Sequence, residues 1–200
     1  YHLFYADGIG SPGTDITFFD WPVGRERRGT HSVTRTGFRV ASEESLKLWQ
    51  HRFAMLGIRH DKIAEQAGWM TLPFEDHEGQ RLALVADNAG EAHAWSESPV
   101  PAEHQIRGLG PITMSVPDLK HTDTLLTHLM NMVPTGSFSG THVYKMGAAG
   151  AVSELHVTVD PTLPPAQQGA GAVHHVAFNI PYADYQAWAD RLRTMRVPNS

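Results

Sequence analysis

Cysteine is absent from the 200 residues. That removes disulfide scaffolds, thiolate metal sites and cysteine nucleophiles together, and it fits a cytoplasmic protein. Long apolar runs are missing as well. Nothing approaches the roughly 18 consecutive apolar residues that mark a membrane-crossing helix, so no membrane partner is expected. Positive charge is scarce, with 16 Lys and Arg against 21 Asp and Glu and a formal net charge of −5. Without a basic stripe, nucleic acid is not expected as a partner either. The short cluster "GRERRGT" (24–30) reads as a solvated turn. What remains is a chain whose 41% hydrophobic content can bury a sizeable core in one or two domains.

Histidine, by contrast, is plentiful at 13 residues. His51, His60, His77, His93 and His121 lie in polar surroundings and read as surface residues. One adjacent pair stands apart, in "GAVHHVAFNI" (171–180), where it opens a run that reads as a half-buried strand. A strand begins at Tyr1 without a preceding Met, and the chain stops at "RVPNS" just after a helical pattern, so the segment reads as part of a longer polypeptide.

A repeat is visible in three stretches: "TRTGFRVASEESLKLWQHRFAMLGI" from Thr34, "GPITMSVPDLKHTDTLLTHLMNM" from Gly110 and "HHVAFNIPYADYQAWADRLRTMRV" from His174. Each is an alternating strand, a polar break and an amphipathic helix. Strands follow the first helix in "GWMTLPFED" and "RLALVAD", and the second in "THVYKMG" and "AVSELHVTVD". Both units thus finish on Asp, at Asp87 and Asp160. The opening "YHLFYAD" and "TDITFFDWP" supply the closing strands of a unit that starts earlier. The expected fold class is therefore α+β, built of tandem βαβββ units whose curved mixed sheets surround clefts. Of four units, the first and last are incomplete here. The period-free stretch 88–108 separates two expected domains, 1–92 and 103–200, and "PTLPPAQQGAG" (161–171) links the third unit to the fourth.

Strand side chains alternate between faces. In the repeated opening strand, one face is large and apolar: Thr36, Phe38 and Val40, then Ile112, Met114 and Val116, then Val176, Phe178 and Ile180 behind His174. The other is small or polar and suits a solvated cleft: Arg35, Gly37 and Arg39, then Pro111, Thr113 and Ser115, then His175, Ala177 and Asn179. His175 thus faces a cleft, and alternation points His174 away from it. Trp49 and Trp188 sit at helical core spacing and read as packing, and Tyr1, His2 and Tyr5 read as core or rim.

The unit pattern, together with "YHLFYAD", "GSPGTDITFFDWP", "SPVPAEH" and "GAVHHVAFNI", resembles the vicinal-oxygen-chelate superfamily, in its branch of hydroquinone-type ring-cleaving dioxygenases. The resemblance implies one divalent metal, Fe(II) in the first place and otherwise Mn(II), Zn(II) or Ni(II). Two histidines and a glutamate hold it and leave neighbouring coordination positions open. It implies His175 as the ligand carried by this chain, with the other two before Tyr1 and after Ser200. It also implies His174 as a candidate for proton transfer or ligand orientation. A small aromatic substrate and dioxygen would be the partners, and a homo-oligomer is compatible with the sequence. Two further readings share the scaffold: a glyoxalase-type lyase or isomerase using its metal as a Lewis acid, and a metal-free protein that sequesters small molecules. The cleft of the second and third units, with Ala83 and His156 at the carboxylate position and Glu154 beside His156, reads as a degenerate structural copy.

Overall fold

The computed structural model describes residues 1–147 and 150–197. The second repeat unit opens with β3 (Ser32–Val40), whose Phe38 and Val40 are buried as the alternation predicts. Helix α1 (Glu43–Leu56) follows. Ser42 caps it by accepting a hydrogen bond from the Ser45 amide, and Glu43 and Glu44 place negative charge on its first turn. Gly57, at φ 67°, ends it in a left-handed turn that an L side chain would strain. Leu46 and Phe53 project from α1 onto Phe38, Val40, Leu72 and Leu84, which form one compact core. The unit closes with β4 (Ala64–Gln66), β5 (Trp69–Glu75) and β6 (Arg81–Ala86).

The third unit repeats the plan with a poorer helix. After β7 (Leu109–Val116), α2 (Lys120–Thr124) runs only five residues before widening into a π-helical turn over 125–129. The buried Tyr144 hydroxyl donates to Asp123 at 2.7 Å and pins this helix under the sheet. Burial, then the Asp123 hydrogen bond and charge, push the Tyr144 phenol well above its ordinary value. β8 (Val133–Phe138), β9 (Thr141–Lys145) and β10 (Glu154–Val159) complete the unit over a second core around Leu126, Tyr144, Leu155 and Val157.

The two units share one eight-stranded sheet in the order β4-β5-β6-β3-β7-β10-β9-β8. Each opening strand lies parallel to the last strand of its own unit, β3 to β6 and β7 to β10, and the two opening strands meet antiparallel at the centre. The sheet therefore runs straight across the segment 88–108. The central seam is close: a Cβ on Gly37 would lie 2.7 Å from the Pro111 carbonyl oxygen. The short edge strands β4 and β8 went unseen in the sequence. β4 has only three residues, and Pro134 and Gly136 disguise β8.

Outside this sheet, β1 (His2–Tyr5) and β2 (Ile16–Phe19) form a two-stranded antiparallel ribbon. Helix α3 (Tyr185–Thr194) appears where the repeat predicts it. Arg191 on it donates to the Leu129 carbonyl at 2.7 Å, at the negative end of the third unit's helix. The half-buried Trp188 ring lies beneath the Arg191 guanidinium, at 5.9 Å. The stretch 172–181 corrects the expectation of a strand: it joins no ladder among the described residues. A strand exists by pairing, and the nearby β1 and β2 already pair with each other.

The segment 24–30 is a second correction. Its arginines are solvated as expected, but it is not a turn. It runs alongside 164–170 and is joined to it by six backbone hydrogen bonds, among them Arg27 N to Gln167 O at 3.0 Å and Gln167 N back to Arg27 O at 2.9 Å. Its exposed arginines also hold neighbours. Arg28 meets Glu75 at 3.1 Å, and Arg81 meets the buried Glu26 at 3.5 Å. No described helix is long and apolar enough to cross a membrane.

Candidate metal centre

Two places in the fold bear on the candidate site, a crevice in the central sheet and an exposed pair of histidines that lines no cavity among the described residues. The first is the concave face of the central sheet, lined by Arg35, Gly37, Trp69, Pro111, Thr113 and His156. The cleft-face assignment from alternation holds here on both opening strands. The space left for a water-sized group is only about 20 Å³, far below what an aromatic ring needs. Side chains fill it and satisfy one another. Glu154 accepts the Trp69 indole N–H at 3.0 Å and lies 3.1 Å from His156 Nε2, both nearly buried. Arg35 donates to Gln66 at 2.9 Å. Burial lowers the Arg35 guanidinium from its ordinary value, partly opposed by the charge of Asp61. Trp69 and Gln66 were not singled out from the sequence, although Trp69 and Thr71 share a strand face with Ala83 and Val85 across β5 and β6.

The second place is the "HH" pair. His174 and His175 are both exposed. Their Nδ1 atoms lie 2.9 Å apart, so one ring donates to the other. This corrects the expectation that His174 turns away: residues outside a pleated ladder need not alternate. The rings sit beside β2, with Phe19 5.7 Å from His174 and 6.2 Å from His175, centroid to centroid, and Trp21 5.6 Å from His174. His2 stacks edge-on to the same Phe19 at 4.4 Å. Tyr1 and Tyr5 are exposed. Trp49 packs on the first core and donates its indole N–H to the His104 carbonyl at 2.8 Å, tying α1 to the "SPVPAEH" segment.

A metal-binding imidazole needs a free nitrogen lone pair and a partner that fixes the tautomer at the other nitrogen. The His175 ring fits. With the proton on its Nδ1 and donated to His174, the Nε2 lone pair is unengaged among the described residues. Those residues contain no group of three or more His, Asp or Glu able to hold an ion.

No protein-family model matches the chain. Its sequence is 38% identical over 90% of its length to MhqA of Bacillus subtilis, provisionally named a ring-cleaving dioxygenase. It is 28% identical over 94% to the chlorohydroquinone/hydroquinone 1,2-dioxygenase of Sphingobium indicum. The chain spans about 60% of the length of each of these curated relatives. A crystal structure of a provisionally named dioxygenase from Bacillus subtilis superposes with a TM-score of 0.87 at 26% identity, covering 98% of this chain and 62% of that one. Glyoxalase I from Zea mays shares the fold at a TM-score of 0.54 and 14% identity, over 90% of this chain and 60% of that one. With its α+β architecture of repeated βαβββ units in a curled mixed sheet, the chain belongs to the vicinal-oxygen-chelate superfamily.

Proposed function

We propose that this chain is part of a non-heme Fe(II)-dependent, extradiol-type dioxygenase that opens the ring of a hydroquinone- or catechol-like aromatic. Its halves, 1–92 and 103–200, would be the adjoining parts of two vicinal-oxygen-chelate domains, and the enzyme would work in the cytoplasm, where iron stays ferrous. Self-association into a homo-oligomer is compatible with this reading. The observation that carries it is an exposed imidazole, His175, with its Nε2 free and its Nδ1 2.9 Å from His174, in a chain similar to named ring-cleaving dioxygenases.

In this reading His175 Nε2 holds the metal, and residues outside these 200 supply the other two ligands. A ferrous ion bound there would supply the one-electron chemistry that lets triplet dioxygen react with a singlet aromatic ring. The chain's own residues have simpler tasks. His174 accepts the His175 Nδ1 proton, which fixes the ligand tautomer and strengthens Nε2 as a donor. With its Nδ1 accepting, a neutral His174 carries its own proton on Nε2, from which it can donate to the phenolic substrate. The central sheet binds no substrate; it supports the unit that does.

The test is oxygen uptake by the full-length polypeptide after anaerobic loading with Fe(II). Uptake with hydroquinone or catechol that disappears on chelation, and in His175→Ala, supports the proposal. Metal-loaded protein that consumes no oxygen with either substrate overturns it. Activity sustained by Zn(II) or Ni(II) without oxygen would point to lyase or isomerase chemistry instead.

A further inference from the structure

The approach to His175 is fastened in three places. Linkers 24–30 and 164–170, each leading toward the opening of a repeat unit, are interlaced by the six backbone hydrogen bonds described above. Arg27 Nε reaches Gln167 Oε1 at 2.7 Å across the same contact. The backbones touch so closely that only glycine fits: a Cβ on Gly29 would collide with the Pro164 carbonyl, and one on Gly169 with that of Gly24. Gly171, at φ 87°, then presses on the β5–β6 turn, where a Cβ would lie 2.9 Å from the Glu78 carbonyl oxygen and 3.1 Å from the Gln80 nitrogen. That turn is held from the other linker, by Arg25 to the His77 carbonyl and Arg28 to the Gly79 carbonyl, both at 2.8 Å.

We propose that this fastening aims His175, and that Gly29, Gly169 and Gly171 are positioning residues for the metal-binding imidazole. The inference rests on His175 being a ligand. The stretch 172–181 has no ladder of its own, so its position is inherited from the last point at which the chain is held. The last backbone-to-backbone hold lies around Gly171, where the Ala172 amide donates to the Gly169 carbonyl at 3.0 Å. Beyond it the stretch up to His175 is touched by Gln168, on the Val173 carbonyl, and by the Phe19 and Trp21 rings. Four residues on, a displaced backbone carries the imidazole with it, and metal affinity responds to ångström-scale errors in ligand placement. The rigid central sheet thereby sets the geometry of a site it does not contain.

The experiment uses the full-length protein and its Gly169→Ala, Gly171→Ala, His175→Ala and Gly57→Ala variants. Gly57 is the control, because its φ of 67° strains any L residue while a Cβ there meets nothing within 4 Å. Fe(II) affinity is read by competition with a chromogenic chelator, alongside amide hydrogen exchange at Gln167 and Ala170. The expected result is a loss of Fe(II) affinity of about tenfold in Gly169→Ala and Gly171→Ala, with faster exchange at both amides. Gly57→Ala should lower the melting temperature and leave Fe(II) affinity at the wild-type value. Gly169→Ala and Gly171→Ala binding iron as Gly57→Ala does, while His175→Ala loses it, overturns the fastening alone. Should His175→Ala keep its iron, the ligand reading fails and takes this inference with it. If a glycine variant does not fold, the same outcomes are read on Gln167→Ala, which removes only the Arg27 contact.

Discussion

The crevice of the central sheet and the His174–His175 stretch both carry histidine, and they differ in what surrounds it. In the crevice every large polar group has found a protein partner: Trp69 and His156 meet Glu154, and Arg35 meets Gln66. The space between these groups is too small for an aromatic ring. At the pair of histidines one nitrogen of His175 is engaged and the other is free, on an exposed ring. The difference teaches that histidine and glutamate on a cleft face do not make a site. A lone pair is not enough, since the second nitrogen of His156 also has no partner among the described residues; what separates the two rings is that His156 is buried and His175 exposed.

The largest expected effect tests that contrast directly. In the full-length protein, His175→Ala should lower bound iron and oxygen uptake by at least about a hundredfold, whereas His156→Ala should keep wild-type iron content, measured by metal analysis. Iron lost equally from both variants would break the comparison. Next, Gly37→Ala should destabilise the protein by about 3 kcal/mol in urea unfolding, because the added Cβ meets the Pro111 carbonyl oxygen at 2.7 Å. Glu154→Leu should cost about 2 kcal/mol by leaving the Trp69 and His156 nitrogens without their partner, again with iron content unchanged.

The smallest effect asks how far the third unit's short helix depends on the buried Tyr144–Asp123 hydrogen bond beside its apolar packing. Tyr144→Phe should cost about 1 kcal/mol near neutral pH. The sign in alkali follows from the raised phenol. The folded state holds Tyr144 neutral, while the unfolded phenol ionises at its ordinary value of 10.0. Its contribution is therefore complete below that pH and is lost as the pH climbs past it. Unfolding midpoints measured between neutral pH and alkali should fall more steeply for the wild type than for Tyr144→Phe.

Much of this was legible in the sequence. Alternation gave both faces of β3 and β7 correctly, since buried Phe38 and Val40 and crevice-lining Arg35 and Gly37 follow from a period of two. The helix of the second unit announced itself through the polar break after its strand and its amphipathic period. The family could be read from motifs spread along the chain. What could not be read were properties of pairing. Whether 172–181 forms a strand depends on a partner edge, not on its own residues. "GRERRGT" has the composition of a turn, yet it is held by a linker some 140 positions away, as the Arg27–Gln167 contact records. The closing of the crevice likewise required Trp69 and Gln66, which β5 and β4 bring to it from one flank of the sheet.

The antiparallel meeting of β3 and β7 has a consequence for how the chain is made. Phe38 finds its partner Leu109 about seventy residues later. As the polypeptide leaves the ribosome, the second unit can wind α1 and lay down β6, but the free side of β3 stays unsealed until β7 emerges. For that interval it offers a sticky flank to any other nascent strand. Gly37 and Gly110, by letting the two backbones nestle once they meet, shut that window for good.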